Sequence, residues 1–514
     1  MFHMTSFPRA LTHPNRRSVM TGIGAALLGS AAAPVWAHTE TQPRQHSLYP
    51  EGFSPEYIHG AIEPFTRTAI YQGQRLGLPM IDLAFSKEAA IPPHLWGMLY
   101  EGWRPEMEEE GLSVFLQGLE NRGPDNARKR IYMSALTPDL SEAYYRPKMR
   151  TFLDDLFAAE HAGEPLMRRY YDDYWDMYWD LHLGVRGDDI PDEVRAIGDS
   201  FNAVIGFWDP RVGVVFENYM RVRELRPFLR DWIDERLQAV LDYEIDAPEA
   251  TFVHYWAING GLGPNFRRED VVFECFHNFL AFSQWGNTLY RVMEALEPGN
   301  GDATIRAAYE QTMSGDPEAR DENGFTALDR LVFELFRTIS PNSGSLSALA
   351  QSQAGVTGTS FIIHPHPETS EDPRHWSDPQ TFNPDRYREV TLAADVDDAH
   401  CAANGLARCP FSGASMGVED GRPVELPSNG FGTVHARIDG APAPLVEGAG
   451  YAPFGFGYRR CAGEWLTVDF VKEVLRHAWD ADIAFAHIDV DEAERLPVGP
   501  VTVIDDDIGF TRSG

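Results

Sequence analysis

Tyr451-Ala-Pro-Phe-Gly-Phe-Gly-Tyr-Arg-Arg-Cys-Ala-Gly-Glu-Trp465 is the stretch whose reading decides the fold. Gly455 and Gly457 permit a tight loop, because glycine takes backbone conformations that other residues resist. Beyond the loop, Leu466, Phe470, Val471, Val474 and Leu475 recur at helical spacing. Cys461 therefore falls at or just before a helix N-terminus, where unpaired backbone N–H groups and the positive end of the helix dipole gather. Both favour thiolate over thiol, and the thiolate is the metal-ligating form.

Working outward, Glu334-Leu-Phe-Arg337 lies in an apolar helix predicted over Leu328–Ile339, with Pro341 just beyond. Alone, such an i,i+3 pair is usually a surface ion pair of little worth. Between it and the cysteine loop stands Asp372-Pro-Arg-His-Trp376-Ser-Asp-Pro-Gln-Thr-Phe382-Asn-Pro384-Asp385-Arg386-Tyr387. Together with Phe454-x-x-Gly457-x-Arg459-x-Cys461-x-Gly463, these segments resemble, in the same order, three motifs of the cytochrome P-450 superfamily. The resemblance implies a cytochrome P-450-like fold: one large domain, mainly α with a small β region. It implies haem b as cofactor, with the Cys461 thiolate as axial ligand of the iron. Phe454, Gly457 and Gly463 would shape the loop, and Arg459 would neutralise a haem propionate. Glu334, Arg337 and Arg386 would form the structural network that braces the haem-side loops. Further upstream, Arg128-Lys129-Arg130 resembles the helix that supplies a second propionate contact, with Lys129 or Arg130 as the contact. The family's usual Trp or His is replaced there by Asp125, and a solvated basic cluster is the competing reading.

The departures bear more on chemistry than the matches. Oxygen-activating members of the family carry an acid–alcohol pair on the long helix over the haem, which relays protons. The matching helix here is predicted over Val271–Leu296, and its segment Phe279-Leu-Ala-Phe282-Ser283-Gln284-Trp285-Gly286-Asn287-Thr288 places Gln284 and Trp285 at those two positions. Neither relays protons in the usual way. The helix resembles that of the hydroperoxide-rearranging members, allene oxide synthases and hydroperoxide lyases, with Ser283 where their asparagine stands. In a shifted register Thr288 supplies the alcohol. Ser283, Gln284, Trp285 and Thr288 are thus the catalytic candidates. For Trp285, burial at a helix–helix contact is an equal alternative.

The rest of the chain sets the context. Of 514 residues, 43% are hydrophobic and 24% charged, enough for a sizeable core and unlike a disordered chain. The formal net charge of −33 repels nucleic acid and anionic membranes. Arg16-Arg17 followed by a soft Gly/Ala-rich run from Thr21 to Trp36, with small residues at Val35-Trp36-Ala37, resembles a twin-arginine (Tat) export signal over 1–37. Such a signal predicts a periplasmic or secreted protein exported after folding, with no stable membrane insertion. Residues 38–60 read as an irregular segment, and 61–514 as the catalytic domain. The pattern Tyr171, Tyr174, Trp175, Tyr178, Trp179, His182, with Asp172, Asp176 and Asp180 opposite, predicts an amphipathic helix packing on the core. Gly358–His364 is the best strand. Residues 389–446, rich in Ala, Asp, Gly and Pro, read as a structureless insertion or lid. They hold His400, Cys401 and Cys409; the two cysteines either pair or remain thiols, and a surface loop outweighs a metal site there.

Two features then choose the chemistry. Export separates the protein from cytoplasmic nicotinamide cofactors and reductases, and the acid–alcohol pair is missing. Both predict a haem-thiolate oxidoreductase that uses peroxide or an organic hydroperoxide on a small apolar, lipid-like substrate, as a peroxygenase, peroxidase or rearranging enzyme. The alternatives are an oxygen- and reductase-dependent monooxygenase, and a non-catalytic haem-binding sensor or carrier.

Overall fold

The computed structural model describes residues 131–205, 212–263, 266–321, 325–339, 344–349, 360–365, 378–392, short segments between 407 and 444, 453–454, 461–499 and 502–512. The predicted leader, residues 38–60, Lys129, Arg130, His400, Cys401, Cys409, Gly457 and Arg459 lie outside the described residues.

Helices carry the described structure: α1 Arg146–Leu156, α2 Met167–Leu183, α3 Asp192–Ile205, α4 Val212–Leu241, α5 Phe252–Gly260, α6 Arg268–His277, α7 Phe279–Leu296, α8 Ala303–Ser314, α9 Ala327–Thr338 and α10 Glu464–Asp480. Helix α2 forms because its apolar positions recur at i, i+3 and i+4, and here they are aromatic. Tyr170, Tyr171, Tyr174, Trp175, Tyr178, Trp179 and His182 are all buried. On the other face Asp172 pairs with Arg168 and Asp176 with Arg195. Asp180 departs from the predicted polar face: it is buried, with Lys148 Nζ 2.8 Å from its carboxylate. Gly184 ends α2 with a φ of +68°, and a Cβ there would stand 2.8 Å from Ile245 Cδ1.

The single helix predicted over Val271–Leu296 is two, α6 and α7, divided at Asn278. The Asn278 side-chain oxygen accepts from the Tyr132 hydroxyl at 2.7 Å, and its nitrogen meets His182 Nε2 at 2.9 Å. These tertiary bonds coincide with a backbone at φ −66°, ψ −11°, short of α geometry. Local periodicity carries no trace of such a break.

Helix α7 is the pivot of the packing and touches α2, α3, α6, α8 and α10. Its approach to α2 needs Gly286, where a Cβ would lie 2.1 Å from the Tyr171 hydroxyl oxygen. That hydroxyl donates to the Ser283 carbonyl at 2.9 Å. Helix α9 starts at a reciprocal cap: Thr326 Oγ1 accepts from the Asp329 N–H at 2.9 Å, and Asp329 accepts from the Thr326 N–H at 2.8 Å.

The strands are short and, where paired, antiparallel. β1 Gly344–Leu349 pairs with β2 Ser360–Pro365, which overlaps the predicted strand. After α10 the chain forms β9 Ile483–His487, β10 Arg495–Gly499, β11 Thr502–Asp505 and β12 Ile508–Arg512, with β10 paired to β11 and β12 to β9. The 389–446 region corrects the sequence reading. Its described parts are strands, not structureless chain: β3 Val390–Leu392, β4 Ala407–Arg408, β5 Ser415–Glu419, β6 Arg422–Glu425, β7 Val434–Ile438 and β8 Ala441–Pro444. They form two three-stranded sheets, ordered β3-β7-β8 and β4-β5-β6. Pro423 lies on β6 and Pro442 and Pro444 on β8, each an edge strand, where a missing N–H is tolerated. Strands this short, interrupted by proline, have too few alternations to register as a period. Among the described residues no helix is long and apolar enough to cross a membrane.

Candidate functional site

Helix α9 turns Glu334 and Arg337 to one side, three residues apart, and both are completely buried. Arg337 donates to both oxygens of Glu334, Nε at 2.8 Å and Nη2 at 2.7 Å. Such a two-pronged contact suits the planar guanidinium. The turn at Pro384–Glu389 brings Arg386 to the same carboxylate, with Nε donating at 3.0 Å, and the Asn383 N–H donates at 2.9 Å. The remaining donors reach loop carbonyls: Arg337 Nη1 to Pro379 at 2.8 Å, and Arg386 Nη2 to Thr381 at 2.8 Å. One carboxylate thus ties a helix to a loop that lies far away in sequence. A buried charge survives only when its hydrogen-bonding capacity is met, and here it is.

The cysteine segment is tied to the same helix. The Cys461 N–H donates to the Phe454 carbonyl at 2.9 Å, closing the loop across the intervening glycines. The Phe454 ring packs on Phe336 of α9, with centroids 4.7 Å apart. Cys461 is half-buried, and Gly463 is the N-cap of α10. A Cβ on Gly463 would stand 3.9 Å from Cys461 Sγ, so the sulfur sits over the start of the helix. Unpaired N–H groups and the dipole there stabilise negative charge on sulfur.

A buried polar chain that sequence reasoning missed joins α2 to the break between α6 and α7. Tyr132, Asn278 and His182 are joined by the bonds already described, and His182 Nδ1 lies 2.8 Å from the Tyr178 carbonyl oxygen. Burial, and behind it the charges of Glu274 and Cys461, push the Tyr132 phenol well above its ordinary range. Burial pushes the His182 imidazole down to about 3, so it is neutral across physiological pH. His182 was visible as the last position of the aromatic stripe of α2. Asn278 and Tyr132 left no signal, because residues far apart in sequence build the chain.

The four candidates on α7 are not brought together. Ser283 Oγ donates to the Leu280 carbonyl at 3.1 Å, on the face toward α2. Gln284 Nε2 reaches the same carbonyl at 3.4 Å. Trp285 faces α10: its Nε1–H donates to Thr467 Oγ1 at 3.0 Å, and its ring stacks on Phe470 at 4.4 Å. Thr288 Oγ1 donates to the Gln284 carbonyl at 2.9 Å. Thr288 also lines a small apolar pocket with Val292 of its own helix, Leu335, Phe336 and Ile339 of the α9 segment, and Val471 of α10.

The donor set suits a thiolate-ligated haem: one thiol at a helix N-terminus, in a loop fastened to a rigid buried ion network. Among the described residues no group of three or more His, Cys, Asp or Glu residues is arranged to hold a metal ion through side chains alone.

No protein-family model and no curated protein matches the chain. Solved structures do. A mutant of cytochrome P-450 SP alpha (CYP152B1) is 14% identical, with 88% of this chain and 99% of that one covered at a TM-score of 0.50. CYP109E1 from Bacillus megaterium in complex with corticosterone is 13% identical, covering 76% and 84% at 0.48. Retinoic acid bound cyanobacterial CYP120A1 is 12% identical, covering 76% and 79% at 0.47. At these identities the likeness concerns the fold alone: a cytochrome P-450 fold, mostly helical with a small antiparallel sheet region.

Proposed function

We propose, with the cytochrome P-450 fold as premise, that this chain is a haem-thiolate oxidoreductase in which Cys461 is the axial ligand of haem b. The observation that carries this reading is the placement of Cys461 over the start of α10, in a loop joined to the helix that bears the Glu334–Arg337–Arg386 network. When bound, the haem supplies activation of a peroxide bond and oxidation of a nearby substrate. The chain's own part is to hold sulfur as thiolate and to keep the loop rigid through α9. Arg459, with Lys129 or Arg130, would neutralise the propionates. The residue identities on α7 and the export signal support peroxide or an organic hydroperoxide as oxidant. None of Ser283, Gln284, Trp285 and Thr288 is an acid, and a protein exported folded is separated from reductases. The substrate is a small apolar, lipid-like molecule, and the place of action is the periplasm or beyond, with 61–514 as the catalytic domain.

The test is direct. Purified protein, expressed with hemin, is reduced and exposed to carbon monoxide, and its difference spectrum reports the thiolate ligand. Cys461→Ser should lose that spectrum. The same protein is then mixed with hydrogen peroxide or a fatty-acid hydroperoxide without any reductase. Rapid consumption is expected. Turnover only with oxygen plus a reductase would replace the peroxide reading by a monooxygenase, and colourless protein would overturn the haem assignment.

A further inference from the structure

We propose that Trp175 is the end of an internal one-electron route that drains an oxidising equivalent from the Cys461 site through the aromatic core, with Asp199 receiving the indole proton. The proposal rests on the haem-thiolate reading and adds a second activity to it, one-electron oxidation of small donors when no substrate takes the equivalent.

The seat of Trp175 is built for its indole. Trp175 is buried, and on the facing helix α3 a Cβ at Gly198 would lie 2.0 Å from its Cζ2. A mid-helix glycine costs about 0.5–1 kcal/mol relative to alanine, and here it opens the slot that the ring fills. The next residue, Asp199, accepts the Trp175 Nε1–H at 3.2 Å. Asp199 is on the exposed side of α3, so the carboxylate that receives the indole proton is open to solvent.

A continuous run of rings leads there. Trp285 is bonded to Thr467 in the first turn of α10, and Thr467 Oγ1 in turn donates to the carbonyl of Gly463, two residues beyond Cys461. From Trp285 the run continues to Phe282 at 4.3 Å, Tyr178 at 4.9 Å and Trp175 at 5.6 Å between centroids. Phenylalanine is too hard to oxidise to hold the charge and serves as a bridge. Tyr178 and Trp285 hold it only briefly, because their protons face a backbone carbonyl of Cys275 and a hydroxyl, neither of them a base. Trp179, on a side branch, has no acceptor for its buried indole N–H among the described residues. Trp175 faces a carboxylate, and the charge settles there.

The electron balance closes with peroxide as oxidant. Reducing one peroxide to water, or to water and an alcohol, takes two electrons and two protons. An electron leaves Trp285, is refilled from Tyr178 and then from Trp175, and the Trp175 N–H proton passes to the Asp199 carboxylate. The products are a neutral indolyl radical and a carboxylic acid. A phenol-type donor in solution returns an electron and contributes its own proton to the water formed, while Asp199 returns the indole proton. Two such cycles consume one peroxide.

The experiment uses haem-loaded protein made with ring-deuterated tryptophan, mixed with hydrogen peroxide without substrate and freeze-quenched for electron paramagnetic resonance. A radical with tryptophan hyperfine structure is expected. Trp175→Phe should lose most of it and bleach its Soret band several-fold faster in peroxide, whereas Trp232→Phe, on α4 against the side-branch Trp179, should match the parent. Asp199→Asn keeps the packing but removes the base, so its radical should decay faster. An unchanged tryptophan signal in Trp175→Phe with an intact Soret band overturns the proposal. Should that variant fail to fold, peptide mapping of peroxide-treated parent protein decides. Oxygen adducts concentrated at Trp175 support the route, and adducts confined to the exposed Tyr243 and Trp479 overturn it. Colourless protein overturns the haem reading and this proposal together; coloured protein without the Trp175 radical overturns this proposal alone.

Discussion

The ion network on α9 and the candidate face of α7 lie close together, yet they are specified in opposite ways. Glu334 and Arg337 are completely buried and the Arg386 side chain nearly so, and they are satisfied by one another, by loop carbonyls and by the Asn383 N–H. On α7 the polar side chains of Ser283, Gln284 and Thr288 bond mainly to their own helix, and tight aromatic packing decides its position. The first region is a lock in which each member needs the others. The second is a shaped surface, in which steric fit outweighs hydrogen bonding.

The lock should fail hardest when one member is removed. Arg337→Ala leaves the Glu334 carboxylate buried with Arg386 and one backbone N–H as its remaining partners. Breaking a buried pair costs about 3–5 kcal/mol. Chemical denaturation should register that loss, and the Soret-to-280 nm absorbance ratio should fall with it. Arg337→Lys should recover little, because an ammonium is a point charge and does not reproduce the two-pronged contact. Stability within error of the parent for Arg337→Ala would mean that the lock does not govern the fold.

The shaped surface should respond to volume instead. Gly286→Ala adds a methyl group where the Tyr171 hydroxyl oxygen already stands 2.1 Å from the Cβ position. Overpacking of this kind costs about 1–3 kcal/mol. Removing the obstructing oxygen with Tyr171→Phe should return part of the loss, so the double variant should be more stable than the sum of the two single effects. Strict additivity would show that α2 and α7 do not meet at this point.

The same contrast explains what could be read from the sequence. Glu334 and Arg337 are three residues apart, and Arg386 sits in a dense local motif, so the pairing of these three was legible from spacing and resemblance. The burial of the α2 aromatic stripe was legible too, because a helix writes its inner face at a fixed period. The break at Asn278 was not, since Tyr132 and His182 are brought to it only by the folded chain. Nor was the direction of each side chain on α7, because Gly286 and Trp285 take their meaning from α2 and α10. The strands within 389–446 escaped because their prolines and brevity erase alternation, even though edge positions accommodate them.

The buried polar chain offers a pH test that separates it from the lock. His182 is held neutral by burial, with a folded value of about 3 against an ordinary value of about 6.5. Between those values the unfolded chain binds a proton that the folded protein refuses, so stability falls as pH drops below about 6.5. The slope attributable to this one group approaches about 1.4 kcal/mol per pH unit. Denaturation curves at pH 7 and pH 5 should therefore differ more for the parent than for His182→Gln. Equal pH dependence in both would place the proton uptake elsewhere.

The smallest effect is expected at Thr288, and it sharpens the contrast most. Its hydroxyl donates to the Gln284 carbonyl one turn back, an oxygen in its own helix, and its side chain borders an apolar pocket. Such back-bonding adds little to a helix and often bends it slightly. Thr288→Val keeps the shape, exchanges a hydroxyl for a methyl group beside Val292, Leu335 and Val471, and leaves no buried group without a partner. Denaturation should show a change within about 1 kcal/mol of the parent, in either direction. A loss well beyond that would mean the hydroxyl bonds to a group outside α7, and this helix would then belong with the Glu334 network as a lock.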